Sequence, residues 1–191
     1  DAGIKLKNEI RIILGTDEET GWRGIGHYLQ NFPMPDLGFA PDASFPLIYG
    51  EKGRMSFDLT SNTFDGDDIL VSITGGERYN VVLEEVEAVV KTDLTKEFKS
   101  YAESNNLVYS VSLCDGLYKL ILKGKAAHAM EPHKGINAGT YMCDFLKDYS
   151  SNKMVKYVAD KHHLSHVCEK LGLDYDDYEM GPITCNIGIM N

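Results

Sequence analysis

Asp17, Glu18 and Glu19 stand side by side, directly after an apolar stretch and Gly15. Three adjacent carboxylates repel one another, so a cation or a raised pKa on one of them must compensate. Neighbouring acids at such a bend can divide the work. One grips a metal ion while the other takes a proton from a bound water. A solvated acidic loop at a helix N-terminus, favoured by the helix dipole, is the commoner outcome of the same spacing. Asp42 lies between Pro41 and an apolar Phe45-Pro46 pair. A half-buried carboxylate there needs a partner, and a turn-forming role is the plain alternative. His128 sits among the small residues Gly124, Ala126, Ala127 and Ala129. Small neighbours permit close approach of another chain or a substrate, although a single His is more often a structural hydrogen-bonder. His162 and His166 are four apart, which on a helix would let them share a metal, but no third ligand at good spacing completes the set.

The elements that must position these groups follow from hydrophobic periodicity. Residues 9–14 read as a buried β-branched strand. A short helix is expected over 22–32, with Ile25, Tyr28, Leu29 and Phe32 on one side, ended by Pro33 and Pro35. The strand-like Leu47-Ile48-Tyr49 follows, so the opening reads as an α/β piece. After Gly50 the character changes. Strands are expected at 54–60, 68–73, 80–91, 107–113 and 117–123, the last two joined at Asp115-Gly116, a strong hairpin signal. Helices are expected at 93–105, 135–149 and 153–171, and a closing strand at 183–191. Helices beside hairpins predict an α+β sandwich with an antiparallel sheet. The Gly-rich run Gly75-Gly76 leads into a strand, which is wrong for helix-dipole phosphate binding.

Composition narrows the function classes. The 191 residues carry 19 Lys+Arg against 29 Asp+Glu, a net charge of −10. An acidic surface repels phosphate backbones and anionic lipid, so neither a nucleic acid nor a membrane is expected as partner. No apolar run approaches the roughly 18 residues of a membrane span. The four cysteines form no C-x-x-C pair and read as free thiols of a reducing compartment, which predicts a cytoplasmic location.

Several motifs occur in a telling order. They are Gly15-Thr16-Asp17-Glu18-Glu19-Thr20-Gly21-Trp22, then Phe39-Ala40-Pro41-Asp42-Ala43-Ser44-Phe45-Pro46, then Gly76 to Asn80, then Ala127-His128-Ala129-Met130-Glu131-Pro132 with Gly135-Ile136-Asn137-Ala138-Gly139. In this order they resemble the two-zinc aminoacylase/carboxypeptidase family of metallopeptidases, and within it the carnosinase-like V-type dipeptidases of bacteria. The resemblance covers nearly the whole chain. It implies that Glu18 is the general base acting on a metal-bridging water, that Glu19 and Asp42 each ligate one zinc, that His128 polarises the scissile carbonyl, and that Asn80 contacts substrate. It implies two Zn2+ per complete site and a dipeptide as substrate.

The departures matter equally. The family's His-x-Asp motif is absent, since none of the six histidines has Asp two positions later. Two carboxylates cannot build a closed zinc site. The expectation is therefore an internal fragment. Residues 1–50 would be a slice of the catalytic domain, and 51–191 a lid or dimerisation-type domain truncated at its C-terminal end. Such a fragment would be inactive by itself. The parent would be a monomer if the enlarged lid stands in for a second subunit, and the fragment would self-associate through an exposed sheet edge. A related two-metal deacylase of N-acyl amino acids or succinyl-diaminopimelate, and a non-catalytic dimerisation or binding module, are the alternatives.

Overall fold

Asp115 and Gly116 both adopt positive φ, 53° and 79°. This is the conformation of a tight two-residue hairpin turn, whose twist matches that of the flanking strands. It joins β3 (Val108–Cys114) to β4 (Leu117–Lys123) in antiparallel register, with Cys114 opposite Leu117 and Val108 opposite Lys123. The computed structural model containing this hairpin describes residues 3, 5–18, 21–41, 46–61 and 66–191. The chain divides into two units, Asp1–Tyr49 and Gly50–Asn191.

In the second unit, β1 (Leu70–Gly75) and β2 (Glu85–Val90) complete a four-stranded sheet of order β1-β2-β4-β3. Every neighbouring pair is antiparallel. Alternation assigns the faces. Val86, Ala88 and Val90 of β2, and Leu120 and Leu122 of β4, are fully buried. On the other face, Lys123 pairs with Glu85 at 2.9 Å and Lys119 with Glu87 at 3.1 Å. The sheet thus has one oily side and one ionic side.

Three helices meet the oily side: α2 (Thr95–Ser104), α3 (Ala138–Leu146) and α4 (Lys153–His162). Phe98 of α2 is fully buried and stands edge-on to Phe145 of α3, with ring centroids 5.1 Å apart. Asn137 and Asn152 cap α3 and α4, each side-chain oxygen accepting backbone N–H bonds from the first turn. Asp68 is buried ahead of β1 and accepts from the Leu70 N–H, the Ser150 hydroxyl and both the N–H and hydroxyl of Ser151. Two residue pairs, β5 (Asp176–Asp177) and β6 (Gly181–Pro182), form a separate small ribbon. The architecture is α+β.

Some expected elements differ. In the first unit the helix forms, as α1 (Arg23–Asn31). Residues 9–14 and 47–49 carry no ladder, and Ile10, Ile12 and Leu14 are exposed. A strand exists only where a neighbour supplies hydrogen bonds and a covered face, and none does so among the described residues. The same holds for 54–60. The closing run 183–191 makes a single bridge, Gly75 with Met190, instead of a strand. The helix expected over 153–171 stops at His162, because His163 turns extended and Leu164 takes a φ of 56°.

Candidate functional site

At the acidic bend, Asp17 has a φ of 69°, and its carbonyl accepts from the N–H groups of Gly21 (3.1 Å) and Trp22 (2.8 Å). Its carboxylate receives Arg23 Nε at 2.6 Å and Arg23 Nη2 at 3.2 Å. A side chain at Gly24 would lie 2.6 Å from the Thr16 carbonyl, so only glycine lets α1 begin against this bend. Asp17 is thus engaged in fixing the turn. Glu18 beside it is exposed. Glu19 and Asp42, the expected metal ligands, lie outside the described residues.

His128 and Asn80 belong to the second unit, where two loops meet. The chain leaving β1 runs through Gly75 and Gly76 to Asn80, and the chain leaving β4 runs through Gly124 to His128. Val82 N–H donates to Ala127 O and Ala129 N–H to Asn80 O, both at 2.9 Å. These two bonds bracket an antiparallel bridge between Val81 and His128. The fold therefore brings the Asn80 and His128 backbones together across 48 residues of sequence. The His128 side chain is exposed, and its Nδ1 accepts the Met130 N–H at 3.2 Å. A neutral ring with Nδ1 accepting carries its proton on Nε2, which leaves Nε2–H as a donor.

Close backbone contacts hold this region. A Cβ on Gly124 would meet the Ile136 carbonyl at 2.0 Å, where Lys125 and Ile136 exchange two 2.9 Å hydrogen bonds. Gly76, at φ +75°, would place a Cβ 1.9 Å from the Gly188 carbonyl. Asn186 Nδ2 donates to Val81 O at 2.9 Å, and Asn137 Nδ2 to Ile187 O at 2.8 Å. Asn137 stands in a recognised motif without an assigned role, and Asn186 gives no local signal because its partners Asn137 and Val81 are 49 and 105 residues away.

A cavity of about 50 Å³ lies behind, lined by Asn137, Tyr141, His162, Cys185 and Asn186 among others. It is far below the roughly 300 Å³ at which small-molecule sites begin. An open hollow of about 560 Å³, lined in part by Tyr101, Asp144 and Tyr149, contains none of the candidate site residues.

Among the described residues no group of three His, Cys, Asp or Glu side chains could hold a metal ion. His162 and His166 do not share a helical face, because α4 ends at His162. His162 instead places Nδ1 3.7 Å from Cys185 Sγ, and burial pushes its pKa down. His163 is likewise lowered by burial, against an opposing pull from Asp144. All four cysteines are free.

Residues 117–191 match the peptidase dimerisation domain. Over its full length the chain is 38% identical to "Putative dipeptidase SH1171" of Staphylococcus haemolyticus, and it covers 44% of that protein. It is 37% identical to "Putative dipeptidase SAB1611c" of Staphylococcus aureus, again over 100% of the chain and 44% of the relative. The chain is thus similar to these peptidases along its whole length, and residues 117–191 to a peptidase dimerisation domain. It spans less than half the length of the curated relatives it matches. The matched domain starts at β4 and takes in His128, Asn137 and Asn186. No helix among the described residues is long and apolar enough to cross a membrane.

Proposed function

We propose that the chain is part of a zinc-dependent dipeptidase, with residues 1–50 contributing to the catalytic domain and 51–191 forming a lid. The reading rests above all on 38% identity along the whole chain to the relative named "Putative dipeptidase SH1171". In it Glu18, exposed beside the ordered Asp17 turn, takes the proton of the attacking water and passes it to the leaving amine. His128 donates Nε2–H to the carbonyl oxygen as negative charge develops there. Asn80, on the same bridge, contacts the substrate. Glu19 and Asp42 would each ligate one zinc, the remaining ligands coming from the full-length protein. On this reading the 191 residues would supply only part of the zinc site, and the isolated chain should hydrolyse nothing. A cytoplasmic location accords with the free thiols.

The test uses the full-length protein, a set of dipeptides, and zinc. Glu18→Gln should lower kcat by at least 100-fold while bound zinc is retained. Unchanged kcat would remove Glu18 from the mechanism. Preference for N-acyl amino acids over dipeptides would favour the related deacylase.

A second reading concerns assembly. The dimerisation-domain match and the position of β3 at an edge of the sheet favour self-association through that edge. Sedimentation that is independent of concentration across the micromolar range would exclude it.

A further inference from the structure

We propose that Asn186, oriented by Asn137, is a positioning residue for His128 and Asn80. The inference rests on the dipeptidase reading, and deepens it by naming what holds the lid residues in place. The hydrogen bonds have a direction. Asn137 Oδ1 accepts from the Thr140 N–H (3.2 Å) as the cap of α3, so the other end of that amide must donate. It donates to Ile187 O (2.8 Å) and to Asn186 Oδ1 (3.2 Å). With its oxygen occupied, Asn186 presents Nδ2 to Val81 O at 2.9 Å. Val81 is the residue bridged to His128 and adjoins Asn80.

The anchor of this relay is rigid. Ala138, Met142 and Leu146 of α3 are fully buried against the sheet. From that fixed helix the relay reaches a bridge of only one residue pair, which has no ladder of its own to keep it in register. The Gly76–Gly188 and Gly188–Arg78 approaches leave no room for a side chain that would take over the same task. Misplacement of a reacting group by about 1 Å can cost on the order of 100-fold in rate. A relay ending on Val81, which faces His128 across the bridge, is therefore placed to affect turnover more than affinity.

The experiment uses the full-length protein with zinc and a dipeptide substrate. Asn137→Asp keeps the capping oxygen, but turns an oxygen toward the acceptors on Asn186 and Ile187. Asn186→Asp keeps the acceptor and loses the donor to Val81. Each variant should lower kcat tenfold or more with KM within twofold. The imidazole 15N–1H spectrum of His128, assigned by the signal missing in His128→Asn, should move away from the Nε2–H pattern. In an active protein, wild-type kcat or an unchanged His128 spectrum in both variants overturns the proposal. Should Asn186→Asp fail to fold, the cap-preserving Asn137→Asp decides. Should the wild-type protein hydrolyse no dipeptide, the dipeptidase reading fails separately. The His128 spectrum then still decides the relay, a shift supporting it and no shift overturning it.

Discussion

Asp68 and Ser151 are joined by two 2.6 Å hydrogen bonds, from the Ser151 N–H and from its hydroxyl, across 83 residues. With the Ser150 hydroxyl and Leu70 N–H they surround a buried carboxylate. Burial by itself would raise the Asp68 pKa, but the four donors outweigh it and bring the carboxyl down to about 2. A carboxyl lowered in the folded state stabilises that state above its unfolded pKa, near 3.8. The contribution is lost as pH falls from there through about 2. The size is about 2 kcal/mol. Asp68→Asn should destabilise the protein by about 2 kcal/mol at pH 7 and flatten the pH dependence between 4 and 2, measured by urea unfolding. An equal pH slope in the variant would assign the effect to other carboxylates.

Gly76→Ala and Gly116→Ala make a matched pair. Both glycines have positive φ, but only Gly76 faces a carbonyl, that of Gly188, while Gly116 has open space around it. Gly116→Ala should cost about 1 kcal/mol from backbone strain alone. Gly76→Ala adds a steric clash and should cost roughly 2–3 kcal/mol more. Equal melting temperatures for the two variants would show that the segment around Gly188 gives way freely.

His128→Asn tests the donor role directly. In the full-length protein it should reduce kcat by about 100- to 1,000-fold, the usual loss on removing one oxyanion donor. The fold should be unaffected, since the ring is exposed and its contact is the local one with Met130. A change confined to KM would make His128 a binding residue.

Thiol reactivity follows burial. Cys114 is exposed at the β3–β4 turn. Cys143 is buried, which pushes its pKa up to about 12, and Cys185 is raised by burial and by neighbouring Cys168. At pH 8 the native protein should therefore release one equivalent of a disulfide reagent's chromophore quickly and the others only on unfolding. Two or more fast equivalents would contradict the burial of Cys143 and Cys168 and the partial burial of Cys185.

Much of the second unit was legible from local chemistry. Asp115-Gly116 between alternating runs read as a hairpin, because a two-residue turn leaves few conformations open. The stripe of Leu94, Phe98 and Tyr101 read as a helix face. Residues 9–14 misled because an apolar β-branched run specifies an extended chain and says nothing of whether a neighbour pairs with it. The helix expected through 171 failed at His163 because periodicity continued while the backbone turned away.

The order of motifs in the amino-acid sequence was enough to point to peptidases and, through that resemblance, to single out Glu18 and His128 as candidates. Only the folded chain set Asn80 beside His128, linked the neighbouring Val81 through Asn186 to Asn137, and revealed Asp17 as the clasp of its own turn. The first two of these relationships depend on hydrogen bonds between segments about 50 to 100 residues apart. Such bonds form where the sheet and helices bring backbones close, and nothing in the neighbouring residues announces them.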